Sequence, residues 1–294
     1  MNFEYCTLNV FTDRRFGGNP LAVVRDANGI DDATMQLVAR EFNYSETTFV
    51  LPPANPAHAA RVRIFTPGGE LPFAGHPTVG TAFALASLGR IGPGVRDIVF
   101  EEGVGPVPVS IDRHPDGSIH CCTLTTAQPP ELVEAIEDRA GAAAMLGLDA
   151  NAVLSQPEVW SCGVPFLVVP LASVDALSAA RLDLEQWHTL LGGRSTQKVY
   201  AVARSGEASW RARMFAPGLG VAEDPATGSA AAALAGWLAG HAGNDSPRKW
   251  EIQQGLEIGR PSAIALSYDQ SAGTARRVRV GGCAVMVTRG TLSL

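Results

Sequence analysis

The stretch Arg63-Ile64-Phe65-Thr66-Pro67-Gly68 returns 150 positions later as Arg213-Met214-Phe215-Ala216-Pro217-Gly218. Each copy leads through a polar, glycine-containing turn into an Ala-rich run. The first reads Ala74-Gly75-His76-Pro77-Thr78-Val79-Gly80-Thr81-Ala82, the second Glu223-Asp224-Pro225-Ala226-Thr227-Gly228-Ser229-Ala230. A strand, a turn and then a helix fit this pattern in both places. Two similar units predict two halves of one architecture, each presenting a helix N-terminus. Such an N-terminus has unpaired backbone N–H groups and the positive end of the helix dipole, which makes it a natural anion site. With the halves facing each other, one small acid would be held between them, and the differences between the copies would mark the chemistry.

The rest of the chain sets the frame for this expectation. A length of 294 residues suits two domains, and 46% hydrophobic with 18% charged residues describes a globular protein with a sizeable core. A net charge of -6 argues against a nucleic-acid partner. Arg276, Arg277 and Arg279 form the one notable basic cluster and alternate with valines, as a solvated strand face does. Met1 to Tyr5 shows no basic segment followed by an apolar one, so no signal peptide is read. The run Ala226 to Ala242 is Ala-rich and interrupted by glycines, which fits a buried helix better than a membrane span. Cys6, Cys121, Cys122, Cys162 and Cys283 are odd in number and lack CxxC spacing, predicting reduced thiols in a cytoplasmic chain. None of the six histidines sits in an HExxH or Cys/His array, so no metal site is read from spacing.

Strands are predicted at Tyr5–Phe11 and Leu21–Val24, around the turn-rich Asp13–Pro20 loop. Asp31–Phe42 has helical spacing, with Asp31 or Asp32 as N-cap. Further strands fall at Thr47–Leu51, beginning just after Glu46, and at Arg61–Phe65; the first Ala-rich helix falls at Gly80–Leu88. Val107–Ile111 and Ile119–Leu124 form a hairpin across Pro115-Asp116-Gly117. Thr126-Ala127-Gln128-Pro129-Pro130 is the best boundary, followed by a helical segment at Glu131–Leu146. In the second half Phe166–Leu171, Val199–Ala203 and Trp210–Phe215 read as strands and a helix follows from about Gly228. The closing strands include Arg277–Val280 and Ala284–Thr288.

Two competing site chemistries are rejected. Gly218-Leu219-Gly220 begins like a dinucleotide fingerprint, but no third glycine or later acidic residue completes it, and there is no GxxxxGK[ST]. Ser229, between Gly228 and Ala230, lacks the GxSxG elbow of a serine nucleophile. Three polar residues remain by position. Glu46 lies between an amphipathic helix and a strand, His76 at the first helix mouth, and Asp224 at the second. Each has a purely structural reading: a solvated loop carboxylate, a ring bonded to its own turn, and an N-cap. Together, two carboxylates and an imidazole around an anion site supply what proton abstraction and return require. Thr227 and Ser229 add hydroxyls, and Gly75 and Gly228 allow a ligand to approach the backbone.

Five segments in order carry a resemblance: Gly17–Val23, Ser45–Val50, Phe65–Gly80, Glu223–Ala230 and Gln254–Ser262. They resemble the signatures of the phenazine-biosynthesis isomerase family, over the whole chain. The resemblance implies the diaminopimelate-epimerase type of α+β fold, with two pseudo-symmetric halves. Each half would be a mostly antiparallel sheet wrapped around a central helix, with the active site in the cleft between them. The halves would be residues 1–125, with 280–294 packing back onto them, and 126–279. It implies an isomerase that shifts a ring hydrogen of trans-2,3-dihydro-3-hydroxyanthranilate without cofactor or metal, and a homodimer. Glu46 matches the general base, His76 and Asp224 the supporting polar residues, and Gly75, Gly228 and Ser229 positions near the substrate carboxylate. Thr227 belongs to the same substrate-binding turn. The epimerase branch of the fold carries a cysteine at each helix mouth, and here neither mouth has one, which argues against two-thiol racemisation. The expected function is therefore cofactor-independent isomerisation of a small carboxylate-bearing substrate. The alternatives are a carboxylate-based amino-acid racemase or epimerase, or a binding protein for a small acid; no nucleic-acid or membrane partner is expected.

Overall fold

The computed structural model describes residues 1–241 and 248–294. They form two compact units, Met1–Ala127 with Arg279–Leu294, and Gln128–Val278. Ala242, the last residue of the Ala226–Ala242 run, lies outside the described residues. Among the described residues no helix is long and apolar enough to cross a membrane.

In chain order the first unit contains β1 (Asn2–Val10), β2 (Asn19–Val24), α1 (Asp32–Phe42), β3 (Glu46–Leu51), β4 (Ala60–Thr66) and β5 (Gly69–Leu71). Then come α2 (Gly75–Ser87), β6 (Asp97–Glu102), β7 (Gly105–Arg113) and β8 (Ile119–Thr125). The second unit contributes β9 (Glu131–Ala135), α3 (Arg139–Met145), β10 (Glu158–Ser161), β11 (Pro165–Leu171), α4 (Val174–Ala179) and α5 (Leu184–Leu191). It continues through β12 (Val199–Arg204), β13 (Ser209–Ala216), β14 (Val221–Asp224), α6 (Gly228–His241), β15 (Lys249–Gln254) and β16 (Ser262–Ser271). β17 (Thr274–Gly282) crosses the unit boundary, and β18 (Ala284–Ser293) completes the first unit.

Within the first unit β1 lies between β18 and β2, antiparallel to both. The sheet continues through β3 (parallel to β2), β4, β6 (parallel to β4), β7 and β8, and ends on the last residues of β17. It curls around α2, which packs on β1, β2, β3, β7, β8 and β18. Every residue from Gly75 to Ala86 is buried, as expected of a helix without a polar face. α1 covers the outside, setting Met35, Val38 and Ala39 among Phe49 and Phe65. Its N-cap is Asp31, whose carboxylate accepts from the Thr34 N–H at 2.7 Å.

The second unit repeats the plan. β9, β10 and β11 are antiparallel neighbours, β12 runs parallel to β11, and β13 carries β14 on one side of its run and β15 in parallel register. β16 extends the sheet from β15. α6 packs on β9, β10, β11 and β16 and is buried from Ala230 to Ala239. On the other face α3, α4 and α5 close a second core with Met145, Leu177, Leu190 and Leu191. Both units are thus mostly antiparallel sheets around one buried helix, the α+β class expected. Trp210, Trp237 and Trp250 are buried against one another edge-on, with centroids 5.6 and 6.3 Å apart, and serve as core.

Two expectations need correction. Glu131–Leu146 is not one helix: Glu131–Ala135 is the strand β9, paired with β10, and only Arg139–Met145 is helical. Pro129-Pro130 favours extended backbone, and the pairing with β10 continues it where the local pattern has no clear period. The first Ala-rich helix begins at Gly75 rather than Gly80. Pro77 sits in its first turn, where a missing N–H costs nothing.

The sequence echo has a structural counterpart in each unit. The Arg63 guanidinium donates to both Glu70 carboxylate oxygens, at 2.7 and 2.6 Å, with its Cζ 5.0 Å from the Phe65 ring centre. Arg213 likewise donates to both oxygens of Glu223, at 2.9 and 2.7 Å, and its Cζ lies 5.0 Å from the Phe215 ring centre. Each arginine ties its strand to the short strand beside it, β4 to β5 and β13 to β14, just ahead of the helix mouth. The Arg-x-Phe pattern is a clamp that uses the planar fork and the flat ionic face of guanidinium together.

Candidate active site

At the first mouth three elements converge. Gly18, at φ +60°, turns the chain between β1 and β2; a Cβ there would lie 2.2 Å from the Val10 carbonyl oxygen, so only glycine fits. The turn delivers Asn19, fully buried, at the start of β2. Glu46 opens β3 with its side chain 16% exposed. His76 is the second residue of α2 and is buried. Its Nδ1 lies 3.3 Å from the Asn19 amide nitrogen, and its Nε2 lies 3.4 Å from Glu46 Oε2. Two residues along β3, the Thr48 hydroxyl meets the Thr81 hydroxyl of α2 at 3.0 Å, which fixes the strand against the helix.

The electrostatics of this mouth are set by burial. Desolvation lowers the His76 pKa to about 3, opposed in part by a hydrogen bond to the Pro20 backbone. The imidazole is therefore neutral at pH 7, and at 3.4 Å the Glu46 carboxylate is a close polar neighbour of Nε2 rather than an ion-pair partner. The helix N-terminus itself receives no side-chain cap: Ala74 is the N-cap residue and offers none. Its leading N–H groups, those of Gly75 and His76, can meet an anion.

Deeper in the same turn, the Thr78 hydroxyl donates to Glu102 Oε1 at 2.7 Å and also lies 2.8 Å from the Ala74 carbonyl oxygen. Glu102 ends β6 and is buried, and desolvation raises its pKa to about 8. A carboxylic acid, not a carboxylate, therefore sits behind the helix start at neutral pH.

At the second mouth Asp224 is the last residue of β14 and is 5% exposed. It is not the N-cap of α6, which begins four residues on; the Thr227 carbonyl instead accepts from the Ala231 N–H at 3.0 Å. The Thr227 hydroxyl donates to Asp224 Oδ2 at 2.5 Å and accepts from Gln254 Nε2 at 2.9 Å. Gln254 also accepts from the Thr227 N–H at 3.2 Å and donates to the Asp224 carbonyl at 2.8 Å. Thr227 thus spends its hydroxyl on Asp224. Gly228 is buried at the helix start, while Ser229 is half-buried in a turn otherwise closed to solvent. The Tyr200 phenol is buried near Asp224, and both burial and the Asp224 charge push its pKa up.

The structure brings Glu46, His76 and Gly75 together in the first unit, and Asp224, Thr227, Gly228 and Ser229 in the second. Asn19, Gln254 and Glu102 are polar supports that the sequence reading did not single out. Asn19 and Gln254 stand inside two of the quoted motifs, which was the available signal. Glu102 follows Glu101 in an ordinary-looking acidic turn and gave none. All five cysteines are free, and none lies at either mouth.

Two similar α+β units, each built round a buried helix with an ionisable side chain near its N-terminus, suit acid–base chemistry on an anion, and the chain's relatives make it an isomerase. The chain belongs to the phenazine biosynthesis-like family (PhzC-PhzF), whose model matches residues 8–290. It is 44% identical over 300 residues to an uncharacterized isomerase of Mesorhizobium japonicum, covering 98% of each chain. It is 38% identical over 291 residues to the trans-2,3-dihydro-3-hydroxyanthranilate isomerase of Pseudomonas fluorescens, covering 99% of each. Its fold is that of the PhzF-family phenazine biosynthesis protein of Bacillus anthracis, with a TM-score of 0.86 at 23% identity and full coverage of both chains.

Proposed function

We propose that this chain moves a proton on a small carboxylate-bearing substrate, trans-2,3-dihydro-3-hydroxyanthranilate or a close relative. The observation that carries the proposal is the pairing of Glu46 with a buried, neutral His76 at an uncapped helix N-terminus. The two side chains have different capacities. With a pKa near 3, His76 accepts no proton at neutral pH, so it acts as a hydrogen-bond partner and Glu46 is left as the base.

In the proposed cycle the substrate carboxylate docks on the Gly75 and His76 N–H groups. Glu46 takes a proton from a carbon activated by adjacent unsaturation, the π bond shifts, and the same carboxyl group returns the proton to another carbon. His76, held by Asn19, orients the carboxylate. Asp224, held by Thr227 and Gln254, is assigned a supporting role, with Gly228 and Ser229 as further substrate-binding groups. Identity to the Pseudomonas fluorescens isomerase over nearly the whole chain supports this substrate class. Homodimerisation and a reducing compartment complete the proposal, the latter in keeping with five free thiols.

The test is exchange in D₂O, followed by NMR on cyclic and aliphatic hydroxy and amino acids that raise the melting temperature. Glu46→Gln keeps the shape of the side chain and removes the base. It should bind such ligands and melt as wild type does, while turnover and deuterium incorporation fall by at least about 10²-fold. Undiminished exchange in this variant would falsify the assignment.

A further inference from the structure

The first unit carries a second cluster of chemically able side chains that the proton transfer does not use. His120 and Cys121 lie on β8, and Cys283 occupies the break between β17 and β18. The register that pairs Gly281 with Thr123 and Gly282 with Cys122 sets Cys283 across from Cys121. The two thiols are within hydrogen-bonding reach of each other and are not joined as a disulfide. One ligand atom each from His120, Cys121 and Cys283 lies within 4.8 Å of the other two. The cysteines are half-buried and His120 is exposed, so an ion has a route in. The His114 ring packs on that of His120, with centroids 4.5 Å apart, and orients it. Asp13 acts on Cys283 and Asp112 on Cys121, adding negative potential.

We propose that Cys121, Cys283 and His120 form a Zn²⁺ site. Two sulfurs and an imidazole nitrogen are the donor set that favours Zn²⁺ over the harder Mg²⁺ and Ca²⁺. Tetrahedral zinc with bonds of about 2.3 Å to sulfur and about 2.0 Å to nitrogen needs its ligands roughly 3.5–3.8 Å apart. The three atoms already lie within 4.8 Å of one another, so binding requires side-chain rotations that close the remaining distance. Each thiol gives its proton to solvent on binding, and a water takes the fourth position. Such an ion would staple the β7–β8 hairpin to the point where β17 gives way to β18. No spacing rule reveals the site, since Cys121 and Cys283 are far apart in sequence and meet only through the pairing of β8 with β17.

The experiment uses tag-free, reduced, metal-stripped full-length protein titrated with Co²⁺ as the probe. One equivalent should produce a sulfur-to-cobalt charge-transfer band in the near ultraviolet with intense tetrahedral bands in the visible, and one equivalent of Zn²⁺ should abolish both. Cys121→Ser and Cys283→Ser should each lose about half of the charge-transfer intensity, and the double variant all of it. His120→Gln, at an exposed position that folding does not depend on, should keep the sulfur band and bind at least about tenfold more weakly. Saturating Zn²⁺ should raise the wild-type melting temperature by about 5 °C and leave that of the double variant unchanged. The proposal is overturned if reduced wild type gives no charge-transfer band at one equivalent, or if the band survives in the double variant. It is equally overturned if the two thiols close as a disulfide in air and the re-reduced protein takes up no Co²⁺, which would make them a redox pair.

Discussion

Burial acts in opposite directions on the two ionisable side chains around the first turn of α2. It lowers His76 from 6.5 to about 3 and raises Glu102 from 4.5 to about 8, so both are uncharged at pH 7. The consequences for stability have opposite signs. Between pH 6.5 and 3 the unfolded chain protonates His76 and the folded one does not, so stability is lost as pH falls through that window. Between pH 4.5 and 8 the unfolded chain ionises Glu102 and the folded one keeps its proton, so stability is lost as pH rises. Glu102→Gln, which retains an acceptor for Thr78, should match wild type in denaturant midpoint near pH 5 and exceed it increasingly up to pH 8. The gap should reach a few kcal/mol, on the order of 1.4 kcal/mol per pH unit at most. Parallel curves for the two proteins would show that Glu102 is already ionised in the fold. At this scale the sequence singled out Glu46 at a helix-to-strand junction, and His76 and Asp224 in the glycine-containing turns ahead of the two Ala-rich runs. Glu102 stayed hidden because its burial arises from β6 turning it towards α2, a tertiary event with no local mark.

At the scale of elements, the echoed arginines differ in depth. The side chains of Arg213 and Glu223 are 5% and 9% exposed, while those of Arg63 and Glu70 are 14% and 42% exposed. Removing one partner of a buried pair strands the other charge, at a cost of about 3–5 kcal/mol, whereas an exposed pair is worth about 1 kcal/mol or less. Glu223→Gln should therefore destabilise the protein by several kcal/mol and Glu70→Gln by much less, as read from urea melts. It should also disturb Asp224, the next residue along β14. Equal losses in the two variants would mean that the copies are clamped alike. A second element-scale prediction concerns α6 and its neighbours. At Gly236 a Cβ would stand 2.2 Å from Trp160 Cε3 and 2.9 Å from Pro130 Cβ. Gly236→Ala should cost about 1–3 kcal/mol by overpacking, despite the better helix propensity of alanine. A variant that melts at or above the wild-type temperature would show that the Trp160 ring moves aside freely. Elements with clear periodicity, such as α1 and the β7–β8 hairpin, were legible in sequence. The strand β9 was not, because Glu131–Ala135 alternates weakly and leaves Leu132 and Val133 half-exposed, so only its pairing with β10 makes it a strand.

For the whole molecule, the repeated Arg-x-Phe-x-Pro-Gly lead-in announced two units of one design, since a duplicated strand–turn–helix needs a duplicated sheet to bury it. The order of strands was not legible, because pairing across the length of the chain leaves no trace in any window of sequence. The clearest case is β18, which covers β1 over its full run from Asn2 opposite Ser293 to Val10 opposite Ala284. A chain ending at Gly282 would leave β1 as an open edge. Limited proteolysis followed by mass spectrometry should then show early cuts within 1–127 while 128–278 stays protected. Unchanged resistance of the first unit would show that β18 contributes little to it.

That same pairing makes the timing of synthesis matter. The second unit is one continuous segment, Gln128–Val278, and can close as soon as it has left the ribosome. β1 leaves the ribosome well before its partner β18, with the whole second unit made in between. At about 5–20 residues per second, the nascent protein exposes that bare edge for tens of seconds. The unit that carries Glu46 and His76 is finished only once β18 has been made, so a product truncated or stalled before it would hold a complete second unit and a first unit open to aggregation and to the cell's quality control.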